Sequence, residues 1–164
     1  WEREINCPVT SSVGRWFDAA AALIGVAQTQ SYEGQAAMAL EAWSIASQEC
    51  VEIPLYSDAG IWRADWSPLL PMLMDEERTV EERAAGFHAS LATLILRQAE
   101  RVRQMHGIRQ IGLAGGVFQN RILTEQAMRL LSDAGFEALL PERLPVNDAA
   151  ISFGQMVEAT AAHG

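Results

Sequence analysis

The spacing of apolar residues along this chain predicts helices separated by short strands. In the stretch beginning "GRWFDAAAALIGV", Trp16, Ala20, Leu23 and Ala27 fall near helical spacing, with Gly25 close to the end. "EGQAAMALEAWSIASQE" predicts a second helix, opened by Gly34 and favoured by its alanines. Residues 79 to 105 carry the longest helical pattern: Ala84, Phe87, Leu91, Leu94, Ile95, Val102 and Met105 share one face, and Gly107 is placed to stop it. His88 sits at the edge of that face. Between Cys50 and Trp66 the pattern changes to alternation, predicting two short strands around the turn "SDAG", a hairpin. "IRQIGLA" then reads as a short buried strand, "QNRILTEQAMRLLSDA" as a helix, "FEALL" as a strand and "NDAAISFGQMVEATAA" as a final helix. "SPLLPMLMDEERT" is expected to be a surface connection. Strands alternating with helices predict an α/β fold with parallel pairing in part of the sheet and helices packed on it.

Composition narrows the function. At 164 residues and 49% hydrophobic, the chain is long enough for one folded unit, residues 1–164, and short for two. It opens on Trp1 directly in motif-like sequence, which points to a piece of a longer protein. No apolar run nears the roughly 20 residues that cross a bilayer, and no signal-like segment opens the chain, so a cytoplasmic protein without membrane partners is expected. Net charge is −9 and all 12 basic residues are Arg, a poor composition for unspecific nucleic-acid binding. Without lysine, a Walker-type phosphate loop and Schiff-base catalysis are excluded within this chain. Cys7 and Cys50 have no CxxC spacing, and His88, His106 and His163 no ligand spacing with one another, so both thiols read as ordinary and any histidine metal ligands as external.

Several residues stand where chemistry could be done. Gly115 and Gly116 fall where a strand gives way to a helix, either as a tight turn or as a place where a ligand lies against bare backbone near a helix dipole. Asn120 follows, as a helix cap or as a contact to a ribose or base. In "PVNDAA", Asn147 and Asp148 read as a capping pair, or Asp148 as a hard oxygen ligand to a metal. Asp18 lies within an apolar, Ala-rich helix, where it is either exposed or paired, a substrate hydroxyl being one partner. Gly34 and Gln35 mark a turn before a helix, a cap or a second anion or sugar contact. His88 reads first as a satisfied core-edge histidine and second as a catalytic base.

Taken in order, "TSSVGRWFDAAAALIGV", "SYEGQAAMALEA", "FHASLA", "LAGGVFQNRIL" and "PVNDAAISFGQ" resemble the C-terminal half of the HypF family, the carbamoyltransferases of hydrogenase maturation. The resemblance spans nearly the whole chain. It implies one lobe of an actin/sugar-kinase/Hsp70-like fold, shared with tRNA threonylcarbamoyl-transfer proteins and antibiotic O-carbamoyltransferases. It also implies an ATP-derived carbamoyl-adenylate as the bound cofactor, a divalent metal, and transfer of the carbamoyl group to the C-terminal cysteine of the partner HypE, on the way to the cyanide ligands of the NiFe centre. Carried over by motif, Asp18 would contact ribose or substrate, Gly34 and Gln35 the substrate, Gly115 and Gly116 the adenosine, Asn120 the polar group beyond it, and Asp148 the metal. The histidines completing that metal site would belong to the preceding lobe, and the lobe alone would be inactive. The sequence departs from the family pattern at Ala114, where Ser is usual, and at Ala149 and Ala150, where glycines are usual. Two other readings stay open: a non-catalytic docking lobe for HypE or neighbouring HypF domains, and a small-molecule O-carbamoyltransferase.

Overall fold

In a computed structural model, residues 10–47 and 49–162 are described. Cys7 and His163 lie outside them. The elements run α1 (Val13–Ile24), α2 (Gln35–Trp43), β1 (Leu55–Asp58), β2 (Ile61–Ala64), α3 (Leu69–Leu73), α4 (Val80–His106), β3 (Gln110–Gly112), α5 (Arg121–Asp133), β4 (Glu137–Leu139) and α6 (Ile151–Ala162). Short 3-10 turns, Gly116–Gln119 and Asp148–Ala150, precede α5 and α6.

Helix α4 is the axle of the structure. Its start is a capping box: the Thr79 hydroxyl accepts the Glu82 N–H at 3.2 Å and the Glu82 carboxylate accepts the Thr79 N–H at 2.9 Å. Gly107 ends it in the left-handed conformation, φ 70°. From Arg83 to Ala92 every residue is buried, so this segment is packed on all sides, not along one face. Small residues make that feasible; a Cβ on Gly86 would come within 3.2 Å of the Met72 sulfur. Farther along, the helix outruns its neighbours, and Met105, placed by its spacing on the buried face, is exposed. His88, expected at the edge of the core, is at its centre with no accessible surface.

Helices α1 and α2 pack on each other and on α4. Gly25 closes α1 at φ 91°. Helix α2 ends at Trp43, short of the expected span, because Ser44 turns extended while its N–H bonds back to the Glu41 carbonyl. The chain then reaches Val51, whose N–H is accepted at 2.8 Å by the buried Ser90 hydroxyl, itself donating to the Gly86 carbonyl.

The hairpin forms as the alternation predicts, β1 antiparallel to β2 across Ala59 and Gly60, both at positive φ as a twisted two-residue turn requires. Arg101 of α4 holds it by stacking 4.2 Å over the Trp62 ring. "SPLLPMLMDEERT" is not a mere surface connection: it contains α3, with Leu69, Met72 and Leu73 buried. Its prolines are compatible with helix because Pro68 and Pro71 fall at the cap and in the first turn, where backbone N–H groups have no intrahelical acceptor.

Strands β3 and β4 pair in parallel, Ile111 opposite Ala138, with α5 as the crossover. Leu123, Ala127 and Leu131, one helical turn apart in succession, bury the inner face of α5 against α4. The α/β character is as expected, with the described strands divided between two two-stranded sheets. Along α6 every described residue is exposed. No helix among the described residues is long and apolar enough to cross a membrane.

Candidate functional site

Four segments far apart in sequence converge on one cavity of about 830 Å³, lined by the start of α1, the start of α2, the turn after β3 and the turn before α6. That volume lies in the range of small-molecule sites, roughly 300–1,000 Å³.

From α1 come Gly14, Arg15, Phe17 and Asp18. The three-residue spacing puts Arg15 and Asp18 on one helix face, and Arg15 Nη1 stands 2.8 Å from Asp18 Oδ2. The Asp18 carboxylate is mostly buried and Arg15 mostly exposed, at 18% and 54% of their side chains. Oδ2 has no aligned hydrogen bond among the described residues, so the pair matches charge but leaves an acceptor unused. Motif reading passed over Arg15, although its spacing to Asp18 was there to be read.

From the α2 side come Glu33, Gly34 and Glu41. Gly34 caps the helix at φ 81°, a conformation that side chains resist. Gln35 does not line the cavity: its amide oxygen accepts the Ser31 N–H at 2.7 Å and closes the preceding turn. Glu41 reaches across to accept the Arg121 N–H at 3.2 Å, a carboxylate at the positive end of α5. Eighty positions separate these residues, and no local pattern signals their contact.

The two adjacent glycines have different tasks. Gly115 adopts φ 114°, ψ 155°, a region essentially reserved for glycine, and its N–H donates at 2.7 Å to the Val146 carbonyl, tying this turn to the segment carrying Asp148. Gly115 itself is not in the cavity wall; Gly116 is. The Gly116 and Val117 N–H groups have no acceptor among the described residues.

Asn120 lines the cavity yet is almost wholly buried. Its Oδ1 accepts the Leu123 N–H at 2.9 Å, capping α5, and its Nδ2 lies 3.1 Å from His88 Nε2. On its other side, His88 Nδ1 lies 2.8 Å from the Ala84 carbonyl, and the Phe17 and Phe87 rings pack edge-on against the imidazole. Burial holds His88 below the usual histidine range, opposed by the Ala84 carbonyl. His88 is therefore neutral, engaged at both nitrogens and outside the cavity wall, and does not have the placement of a general base.

In the last segment Asn147 alone takes the capping role, its Oδ1 accepting the Ala149 N–H at 3.2 Å. Asp148, exposed, lies at the cavity wall beside Ala149, while Ala114 and Ala150 do not line it. No three carboxylate, imidazole or thiol groups among the described residues come together as a metal site. Asp148 by itself gives one carboxylate, at most two oxygen donors, fewer than any divalent ion requires. The lining sets four carboxylates, Asp18, Glu33, Glu41 and Asp148, against the single guanidinium of Arg15.

Residues 1–155 match the family model for the second subdomain of a carbamoyltransferase Kae1-like domain. The chain is 39% identical over 160 residues to the carbamoyltransferase HypF of Synechocystis sp., covering 96% of this chain and 20% of that protein. It is 38% identical over 165 residues to a carbamoyltransferase HypF homolog of Cupriavidus necator, covering 94% of this chain and 41% of the other. Among solved structures, full-length HypF in a phosphate- and nucleotide-bound form superposes with a TM-score of 0.87 at 35% identity, over 98% of this chain and 22% of that one. The chain thus spans between a fifth and two fifths of these relatives.

Proposed function

The chain belongs to the HypF carbamoyltransferase family, as the second subdomain of its Kae1-like domain, and on that premise we propose that it forms one wall of a carbamoyl-adenylate site. The observation that carries the reading is the convergence of Asp18, Gly34, Gly116, Asn120 and Asp148 on a single cavity. In this reading the Asp18 carboxylate takes a ribose hydroxyl, the Gly116 backbone lies against the adenosine, and Gly34 faces the transferred group. Gly115 and Gln35 act one step back, shaping the two turns.

The carboxylate excess would repel bare phosphate, which supports a cation accompanying the nucleotide. Asp148 would give that divalent metal one ligand, the others coming from the upstream lobe; when bound, the metal neutralises charge on phosphate oxygens. The reaction is acyl transfer: the C-terminal cysteine thiolate of HypE attacks the carbamoyl carbon, a C–S bond forms, the C–O bond to the adenylate phosphate breaks, and AMP leaves. This chain's part is to hold the adenosine and orient the carbonyl. Supply of cyanide to a NiFe centre, in the cytoplasm, completes the proposal.

The test joins the upstream lobe to this chain, measures AMP and ATP binding, and follows labelled carbamoyl transfer to HypE. Absence of nucleotide binding, together with an unaltered Asn120→Ala variant, would sink the reading. One observation favours a second reading, a docking lobe: α6 exposes Ile151, Phe153, Met156 and Val157, each at 50% or more. Charge substitutions there that abolish HypE capture, in a protein that binds no nucleotide, would establish it instead.

A further inference from the structure

The donors and acceptors around Asn120 admit one proton arrangement. Leu123 N–H can only donate, so the Asn120 atom 2.9 Å from it is the carbonyl oxygen, and the amide nitrogen faces His88. That nitrogen can only donate, so His88 Nε2, 3.1 Å away, carries no proton. The ring proton then sits on Nδ1 and donates to the Ala84 carbonyl at 2.8 Å. Rotating the amide would set donor against donor at Leu123 and leave its oxygen toward an imidazole nitrogen without a hydrogen. A line of hydrogen bonds therefore runs from the backbone of α4, through a fully buried imidazole, to the cap of α5 and the cavity wall.

We propose that His88 is a positioning residue: it holds the Asn120 amide in the orientation that sets the shape of the glycine turn, and so acts on the cavity without touching its occupant. This rests on the adenylate reading above. Two observations support it. Once His88 and Leu123 are served, the Asn120 side chain retains one Nδ2 hydrogen and one Oδ1 lone pair for a ligand, and the direction of both is fixed by the amide orientation. The Phe17 ring, which packs on His88 at 5.6 Å, also lines the cavity, so the imidazole supports the wall through two separate residues.

The experiment titrates the complete protein carrying this chain with AMP, by calorimetry. His88→Leu should weaken binding about tenfold, the scale of one buried hydrogen bond left unmade. His88→Gln, whose amide oxygen accepts the same N–H, should stay within about threefold. With Asn120→Ala in place, His88→Leu should cost much less than in the wild type, because the Asn120 half of its support to the wall is already gone and only the Phe17 contact remains. Binding by His88→Leu equal to wild type, or losses that add in full, overturns the positioning role alone. A wild-type protein that does not bind AMP overturns the adenylate reading and this role together. Should His88→Leu not fold, nitrogen NMR of labelled histidine in the wild type decides, the His88 signal identified by its absence from His88→Gln. A proton on Nδ1 and a signal that moves on AMP addition support the role; a proton on Nε2, or a signal indifferent to AMP, overturns it.

Discussion

Alanine substitution at each of the two adjacent glycines should have opposite consequences. At Gly115 the backbone sits at φ 114°, ψ 155°, where a Cβ costs on the order of 1–3 kcal/mol whatever the surrounding space. At Gly116 φ is not positive and an added Cβ meets nothing within 4 Å. There alanine should stabilise by roughly 0.4–1 kcal/mol, because it restricts the unfolded chain more than the folded one. For a chain of this size about 1 kcal/mol moves the melting temperature by roughly 2–4 °C, so Gly115→Ala should melt about 2–12 °C lower and Gly116→Ala about 1–4 °C higher. Ligand binding should rank them the other way for a given stability, since Gly116 is part of the cavity wall and its added methyl would occupy open space there. Thermal unfolding with and without AMP reads both effects. Shifts of the same sign and size in the two variants, or unchanged AMP affinity in a stabilised Gly116→Ala protein, would refute this division of labour.

Three further expectations follow from the fold. Thr79→Ala removes one half of the α4 capping box and should cost about 1 kcal/mol, measured by urea unfolding. Ala59→Gly relieves a φ of 48° in the hairpin turn and should raise stability by up to about 1 kcal/mol in the same assay, with a neutral or negative result counting against strain there. Stability should also depend on His88: the unfolded state gains a proton near the ordinary value of 6.5, whereas burial keeps the folded histidine neutral to lower pH. Its contribution is thus complete above that value and is lost as pH falls below it toward the folded pKa; comparing urea midpoints of wild type and His88→Gln from about pH 7.5 to about 5.5 should show the shallower fall in the variant.

Much of this molecule is written in local pattern. Helices α1, α4 and α5, the hairpin and the β3–α5–β4 crossover all follow from spacing, because one turn of helix or one step of strand decides which side chains face inward. The stops at Gly25 and Gly107 were legible for the same reason, each being a left-handed position that glycine alone fills cheaply. Helix α3 escaped because prolines ordinarily end helices, and their tolerance in a first turn depends on where the helix begins. The burial of α4 on every side between Arg83 and Ala92 escaped because alanines and Gly86 carry little hydrophobic signal; their value lies in how close a neighbour can come.

The candidate site divides along the same line. From the chain alone, Asp18, Gly34, Gly116, Asn120 and Asp148 could be named as residues of the right chemistry at element ends, and sequence resemblance grouped them. Only the folded arrangement put them around one cavity, moved Gly115 and Gln35 behind its wall, and brought Arg15 and Glu41 into it. Only the folded arrangement joined His88 to Asn120 across 32 positions. The reason is physical: conformational preference and periodicity act over a few residues, whereas which donor meets which acceptor is decided by how the helices pack.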